Sequence, residues 1–481
     1  MSKLEKLLKE RGPIKKIGVL GMGYVGIPAA VLFADAPCFE KVLGFQRNSK
    51  SSGYKIEMLN RGGESPLKGG EEPGLEELIG KVVKAGKFEC TPDFSRISEL
   101  DAVTLAIQTP FANPKDLEPD FSALIDGIRN VGKYLKPGGM LVVLESTITP
   151  GTTEGMAKQI LEEESGLKAG EDFALAHAPP ERVMVGRLLK NIREHDRIVG
   201  GIDEASTKRA VELYSPPVLT VGQVIPMSAT AAEVTKTAEN TFRDLQIAAI
   251  NQLALYCEAM GINVYDVRTG VDSLKGEGIT RAVLWPGAGV GGHCLTKDTY
   301  HLERGGVKIG RGGELDYPEG ADSIYVLARK VNDFMPAHMY NLTVAALERL
   351  GKKMDGSKVA MLGWAFIKDS DDARNTPSEP YRDLCLKAGA SVMVHDPYVV
   401  NYPGVEISDN LEEVVRNADA IVVLAGHSAY SSLKADWAKK VSAKANPVII
   451  DGRNVIEPDE FIGKGFVYKG IGRGGTKTHI K

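Results

Sequence analysis

The segment richest in chemistry is Pro286-Gly-Ala-Gly-Val-Gly-Gly-His-Cys-Leu-Thr-Lys-Asp298. Four glycines lead up to Cys294, and a helical pattern follows it. A thiol at a helix start has its thiolate stabilised by the dipole and by amides without partners, the condition for a nucleophilic cysteine. The glycines would let the backbone come close to a bulky substrate. Asp298 is one helical turn further on, on the same face, where it could orient or activate a water beside the sulfur. A free thiol is more often buried and inert, and Cys38, Cys90, Cys257 and Cys385 are read that way.

A second constellation lies in the run Ile225 to Met260, which has no proline after Pro226 and apolar residues at helical spacing. Glu233, Lys236, Asn240 and Arg243 fall at i, i+3, i+7 and i+10 and share one face. Such a stripe is ordinarily solvated. This helix is otherwise largely apolar and is expected to be buried, so the stripe needs partners. A buried lysine beside an anionic intermediate would stabilise an oxyanion.

The third is Gly21-Met-Gly23-Tyr24-Val25-Gly26, which runs off the apolar strand Ile17–Leu20 into a helical pattern. In that context Gly21 permits the tight turn, Gly23 lets a pyrophosphate approach, and Gly26 lets helix and strand pack. The helix N-terminus offers free N–H groups to the phosphates. The expected ligand is a dinucleotide. The second strand ends Gly44-Phe45-Gln46-Arg47, with Gln46 where an acid would hold the adenosine ribose. Gln binds a hydroxyl without repelling a 2′-phosphate, and Arg47 could pair with one, so NADP stays open.

These residues need elements to position them. Apolar runs at Ile17–Leu20, Val42–Phe45, Ala102–Ile107, Met140–Leu144, Phe173–Ala176 and Ile198–Val199 alternate with helical segments, which predicts a parallel sheet covered on both faces. The run from Ile225 predicts a helix about 50 Å long that links two domains. A helical pattern resumes from Asp322 to Leu350. Strands at Lys358–Leu362, Val392–His395, Ala420–Leu424 and Val448–Ile450 begin a second α/β alternation. The expected domains are 1–215, 216–340 and 341–481. The glycine-rich stretch Gly305–Gly320 is read as a lid or a surface connection, with the lid favoured. The basic tail from Lys469 is read as a frayed terminus.

The chain has 481 residues and a net charge of −4, which argues against a general nucleic-acid binder. It carries no signal-peptide pattern and no bilayer-spanning run. Its five cysteines are scattered without CxxC spacing, so neither a disulfide framework nor a metal site is indicated. A reducing, cytoplasmic location follows.

Together the segments resemble the UDP-glucose/GDP-mannose dehydrogenase family, over nearly the whole chain. The likeness rests on GMGYVG, Gln108-Thr109-Pro110, Glu145-Ser-Thr-Ile-Thr-Pro-Gly-Thr152, Pro180-Glu-Arg-Val183, the Glu233–Arg243 helix, Gly291-Gly-His-Cys294 with Lys297-Asp298, and Phe366-Ile-Lys-Asp-Ser-Asp-Asp-Ala-Arg-Asn-Thr-Pro377. The resemblance implies an α/β fold of two Rossmann-like doubly wound domains joined by a helical central domain. It implies a four-electron oxidation of a sugar CH2OH without aldehyde release, NAD in the first domain, the UDP-sugar mainly on the last, and a homodimer through the long helix. Cys294 would be the nucleophile, with Asp298, Lys236, Asn240, Glu181 and Thr147 around the reacting carbon. Gly21, Gly23, Tyr24, Val25, Gly26, Gln46, Arg47, Thr109, Thr147 and Arg374 would serve the cofactor. Glu181, Arg182, Val183, Lys236, Asn240, Arg243, Arg281, Gly289, His293 and Lys368 would serve the substrate. The Gly-Gly-His-Cys form resembles the branch acting on UDP-N-acetylhexosamines, and UDP-N-acetylmannosamine is favoured over UDP-N-acetylglucosamine and UDP-glucose.

Two other classes remain. A single-step hydroxy-acid dehydrogenase would share the first half but would not need Cys294 or a second α/β domain. A nucleotide-sensing scaffold would bind cofactor without turnover.

Overall fold

The computed structural model describes residues 1–67, 72–113, 118–180, 186–216, 219–273, 283–292, 294–308 and 323–473. Two compact units divide the chain: Met1–Glu239 with Tyr300–Asp316, and Asn240–Thr299 with Tyr317–Lys481.

In the first unit the strands are β1 (Lys16–Leu20), β2 (Lys41–Phe45), β3 (Phe88–Thr91) and β4 (Ala102–Leu105). A separate antiparallel ribbon, β5 (Phe111–Asn113) with β6 (Glu118–Pro119), follows. Then come β7 (Leu141–Leu144), β8 (Ala174–His177), β9 (Arg197–Gly201) and β10 (Val224–Ser228). The main sheet has eight strands in the order β10-β9-β8-β7-β4-β1-β2-β3. Its strands alternate between two cores, as buried strands covered on both faces must. Ile17, Val19, Leu141 and Val143 join the helix Gly26–Asp35 on one face. Leu20, Leu105, Val142 and Leu144 join the helix Ser122–Tyr134 on the other.

The sheet is not wholly parallel. β8 and β9 run antiparallel, pairing Ala176 with Gly201 and His177 with Gly200. A short apolar run reads the same in either direction, so sequence pattern could not reveal this. The long helix also starts later than expected. Residues 224–228 form β10, parallel to β9 at the sheet edge, and the helix is Ala229–Ala259. Pro226 is tolerated there because an edge strand has a side without ladder bonds. At 31 residues the helix is about 46 Å long.

The second unit contains β11 (Lys358–Leu362), β12 (Ser391–His395), β13 (Ile407–Ser408), β14 (Ala420–Val423), β15 (Val448–Asp451) and β16 (Val467–Gly470). All neighbours are parallel, in the order β13-β12-β11-β14-β15-β16. One face packs on Ile250, Ala254 and Cys257 of the long helix and on Met335 and Met339 of the helix Ile324–Glu348. The expectation of a frayed tail from Lys469 does not hold for its first residues: Lys469 and Gly470 belong to β16, and Arg473 bridges to Asn263. Residues 474–481 and most of the Gly305–Gly320 stretch lie outside the described residues.

Candidate active site

In the first unit, β1 delivers the chain to the Gly21–Gly26 turn and then to the helix Gly26–Asp35. Gly21 has φ +98°, and a Cβ there would stand 2.5 Å from the Ala106 carbonyl oxygen. A Cβ on Gly26 would stand 1.9 Å from the Gly21 carbonyl oxygen. Packing alone fixes both as glycine. Gly23 is different, since a Cβ there would meet nothing within 4 Å. Nothing in the protein needs glycine at that position, whereas a ligand lying on the backbone does. Val25 stands at the N-cap without a side-chain cap bond, and Tyr24 beside it is half-buried. The turn thus fits a dinucleotide pyrophosphate.

At the end of β2, the Gln46 amide donates to the Ser52 hydroxyl at 2.9 Å, and Ser52 lies 2.7 Å from the Ser49 hydroxyl. Arg47 stands 3.9 Å from Asp126, both largely exposed. Such a pair is worth about 0–1 kcal/mol and leaves Arg47 able to turn elsewhere.

The loops after β4 and β7 are tied together. Thr109, buried, donates its hydroxyl to the Thr147 carbonyl oxygen at 2.7 Å, so that hydroxyl hydrogen serves the scaffold. Glu145 is structural as well. It accepts from Arg197 at 2.6 Å and from Tyr214 at 2.7 Å, all three being buried. Beyond Thr147 the loop is gripped twice. Glu233 accepts from the Gly151 amide at 2.5 Å, the Thr153 amide at 2.8 Å and the Thr153 hydroxyl at 2.6 Å. His301, on the helix Leu295–Lys308, lies 3.0 Å from the Thr149 hydroxyl. Burial pushes the Glu233 carboxyl up to about 7 against these donors. Glu233 is therefore a clamp on the Thr147 loop. One turn further on, Lys236 is also buried, with Glu239 at 3.6 Å.

The polar stripe does not continue as expected. Asn240 is buried but Arg243 is exposed, and the next buried charged residue is Asp244. Asp244 pairs with buried Arg329 at 2.5 Å and accepts from Asn332 at 2.8 Å. A helix repeats every 3.6 residues, so a stripe extended by three and four drifts and its last member turns outward.

In the second unit, Cys294 is exposed and directly precedes the helix Leu295–Lys308. Its carbonyl accepts from the Asp298 amide at 2.9 Å and the Lys297 amide at 3.1 Å, which makes Cys294 the capping residue. Asp298 is fully buried. Asn240 donates to its Oδ2 at 2.6 Å, and the Lys297 ammonium to its Oδ1 at 3.0 Å. Lys297 was not singled out for a role by sequence reasoning, although its place beside Asp298 was a signal. Each carboxylate oxygen can still accept a second hydrogen bond, so Asp298 retains the capacity to orient a water.

The glycines before Cys294 are closely met by the protein itself. A Cβ on Gly289, where φ is +130°, would stand 2.8 Å from Pro377. One on Gly291 would stand 2.6 Å from Phe366 Cβ, and one on Gly292, where φ is +93°, 2.7 Å from the Phe366 ring. The loop Phe366–Pro377 lies directly on them. The Gly292 amide donates to the Arg374 carbonyl oxygen at 2.8 Å, and the Asn375 amide donates to the Gly292 carbonyl oxygen at 3.0 Å. Arg374 forks onto Asp372 at 2.8 and 2.5 Å, while Lys368 is exposed.

Arg453, just beyond β15, was missed. Its guanidinium lies against Gly287, 2.7 Å from where a Cβ would be, and donates to the Leu424 carbonyl oxygen at 2.7 Å. Burial lowers it to about 10, opposed by Asp451, so it stays cationic at neutral pH. An arginine at a strand's carboxyl end was the available signal. At the end of β12, Asp396 accepts from the Trp364 amide at 2.7 Å and the Ala365 amide at 2.9 Å. Those amides form the turn after β11, the place in this sheet that corresponds to the Gly21–Gly26 turn. Glu181, Arg182, Val183, Arg281 and His293 lie outside the described residues.

Comparison with known proteins agrees along the whole chain. Family models described as the NAD binding domain, the central domain and the UDP binding domain of the UDP-glucose/GDP-mannose dehydrogenase family match residues 15–218, 230–311 and 360–458. A UDP-N-acetyl-D-mannosamine dehydrogenase of Pyrococcus horikoshii is 35% identical over 95% of this chain and 99% of its own. The crystal structure of an NDP-N-acetyl-D-galactosaminuronic acid dehydrogenase from Methanosarcina mazei Go1 is 97% identical, with TM-score 0.91 over 100% of both chains. The structure of a UDP-D-ManNAc dehydrogenase from Pyrococcus horikoshii has TM-score 0.81 at 34% identity, over 95% of this chain and 99% of that one.

Proposed function

This chain belongs to the UDP-glucose/GDP-mannose dehydrogenase family, and on that premise we propose that it oxidises the C6 alcohol of UDP-N-acetyl-D-mannosamine to a carboxylate, giving UDP-N-acetyl-D-mannosaminuronate, in two NAD-dependent steps. The observation that carries the reading is Cys294, an exposed thiol capping a helix beside the Lys297–Asp298–Asn240 network. NAD, bound at the Gly21–Gly26 turn, supplies the acceptor for one hydride from C6 in each step.

The first oxidation leaves an aldehyde. The Cys294 sulfur adds to it, the oxygen takes a proton, and a thiohemiacetal forms. Loss of the second hydride, with that proton, gives a thioester. Water oriented by Asp298 adds to the thioester carbonyl, the C–S bond breaks, and the carboxylate leaves while the thiol is restored. The balance is two hydrides removed and one water consumed per sugar. The Lys236 ammonium is assigned to the charge that develops on the substrate oxygen. Asn240, whose amide is engaged by Asp298, is assigned to holding that carboxylate in place. Glu181, Thr147, Arg182, Val183, Arg243, Arg281, Gly289, His293 and Lys368 keep the substrate-side roles that the resemblance implies, and Thr109 and Arg374 the cofactor-side roles. Arg453 is added as a cation for the substrate diphosphate.

A second reading, the N-acetylgalactosamine epimer, is favoured by the name of the 97% identical Methanosarcina mazei protein. Limiting UDP-N-acetylmannosamine with excess NAD tests the proposal, with two NADH expected per sugar. One NADH with aldehyde accumulating would sink the role of Cys294. Faster turnover of the galactosamine, glucosamine or glucose nucleotide would reassign the substrate.

The assembly proposed is a homodimer through the long helix. Phe242 and Tyr256 are 55% and 57% exposed and lie within about 40° of one another around the helix axis, and Met260, just past the helix end, is 60% exposed. Ile324, Leu327 and Phe334 expose a second apolar stripe. No described helix is long and apolar enough to cross a membrane, and with free thiols at Cys38, Cys90, Cys257 and Cys385 a reducing cytoplasm is the proposed location.

A further inference from the structure

Two residues before the exposed thiol, the Gly292 peptide is held from both sides by consecutive residues of the loop Phe366–Pro377. Its N–H donates to the Arg374 carbonyl oxygen at 2.8 Å. Its carbonyl oxygen accepts from the Asn375 amide at 3.0 Å and from the Thr296 hydroxyl at 2.7 Å. The same Asn375 amide reaches the Thr296 hydroxyl at 3.3 Å. Thr296 lies in the first turn of the helix that Cys294 caps. One side chain thus bridges the segment entering Cys294 and the helix leaving it.

Asn375 adopts φ +49°, a left-handed conformation that costs a non-glycine residue about 1 kcal/mol or more. Asparagine tolerates this conformation better than most residues. The loop itself is anchored elsewhere. The Thr376 hydroxyl donates to the Trp364 carbonyl oxygen at 2.6 Å, and the Phe366 amide to the Asp372 carbonyl oxygen at 3.1 Å. A loop already fixed by its neighbours does not need a strained asparagine for its own sake. The amide that this turn directs at Gly292 and Thr296 is what the strain secures.

We propose that Asn375 is a positioning residue for Cys294: its side-chain amide fixes the Gly292 carbonyl and the first helical turn so that the sulfur faces the helix amides. The inference rests on the reading of Cys294 as the nucleophile. It places the orientation of the thiol under the control of a loop that leaves the first strand of the nucleotide-binding sheet. Without the amide, the Gly292 carbonyl keeps only the Thr296 hydroxyl, the link to the loop Phe366–Pro377 is weakened, and the thiolate loses part of its stabilisation.

The test uses the full-length protein. Asn375→Gly keeps the left-handed turn and removes the amide. Asn375→Asp keeps the turn, removes the donor and adds a negative charge near the thiol. Iodoacetamide labelling of Cys294, followed by peptide mass spectrometry across pH, reads thiol reactivity in the absence of substrate. For Asn375→Gly the expected result is about fivefold slower labelling at neutral pH, the scale of one lost hydrogen bond. An equal fall in kcat with unchanged KM is expected alongside it. Asn375→Asp should move the labelling profile further toward high pH. Labelling and kcat within twofold of the unmodified protein in both variants would overturn the proposal. A raised KM at constant kcat would also overturn it, because that result assigns Asn375 to substrate binding. If Asn375→Gly does not fold, the same measurements on Asn375→Asp decide. Alkylating Cys294 in the unmodified protein tests the underlying reading separately: turnover that survives labelling removes the nucleophile and leaves the geometry of Asn375 untouched.

Discussion

Asn240 donates its side-chain amide to Asp298 across 2.6 Å, and the chain between them carries the glycine loop and Cys294. With Lys297 on the other oxygen, the buried carboxylate has a partner for its charge and a donor for each atom. Removing Asn240 leaves one oxygen without a donor, at a cost of about 1–3 kcal/mol. Asn240→Ala is expected to lower urea stability by that amount and to reduce kcat more than tenfold. Asp298→Asn removes the charge that faces the buried Lys297 ammonium at 3.0 Å and should cost about 3–5 kcal/mol, of which adding Lys297→Met should recover a part. Additive losses in that double mutant would disprove the coupling.

Gly23 and Gly26 separate packing from ligand binding. A Cβ at Gly23 meets open space, whereas one at Gly26 meets the Gly21 carbonyl at 1.9 Å. Gly23→Ala should melt as the native protein does and bind NAD at least tenfold more weakly. Gly26→Ala should lose both stability and NAD binding. Thermal melts beside NAD titrations decide, and unchanged NAD affinity in Gly23→Ala would remove the pyrophosphate from this turn.

The Glu233 clamp should be pH-dependent. Burial raises its carboxyl from 4.5 to about 7, so the folded protein favours the protonated form. Its stabilising contribution is fully present below about 4.5 and is lost as pH rises through about 7. Glu233→Gln should remove a slope of about 2–3 kcal/mol from the stability profile between pH 5 and 8. Denaturant melts at several pH values check this, and an unaltered profile would place the titration elsewhere.

The apolar stripe of the long helix should govern assembly. Phe242 is 55% exposed. Phe242→Asp puts a charge where an apolar interface is proposed and should shift the protein from dimer to monomer in light scattering after size exclusion. A dimer that persists would move the interface to another face.

Sequence pattern reached most of the scaffold because apolar runs and glycine turns are local signals. β1 begins one residue before the run that was read, and β11 matches it residue for residue. Strand direction was not legible, since β8 and β9 pair antiparallel with nothing in their apolar residues to say so. Local placement was legible where it was written in neighbours, since Cys294 does stand at the start of the helix whose first turn carries Asp298. Contacts were hidden where partners are distant in sequence. The Asn375 contact with Gly292 spans 83 positions and the Asn240 contact with Asp298 spans 58. The glycines before Cys294 were recognised as sites of close approach, but not that Phe366, Pro377 and Arg453, all distant in sequence, approach them. Periodicity also put Arg243 on the buried face, where Asp244 stands instead, because a helix face drifts.

Asp396 gives the second sheet a different fate from the first. Its carboxylate occupies the Trp364 and Ala365 amides, filling from within the niche that the Gly21–Gly26 turn leaves open to a ligand. Among the described residues the duplicated architecture therefore offers one such berth for a dinucleotide, while the proposed reaction uses two in succession. The spent carrier must leave and a fresh one arrive with the job half done. In that interval a bond to sulfur would act as a mooring, keeping the half-oxidised sugar aboard while its redox partner is exchanged.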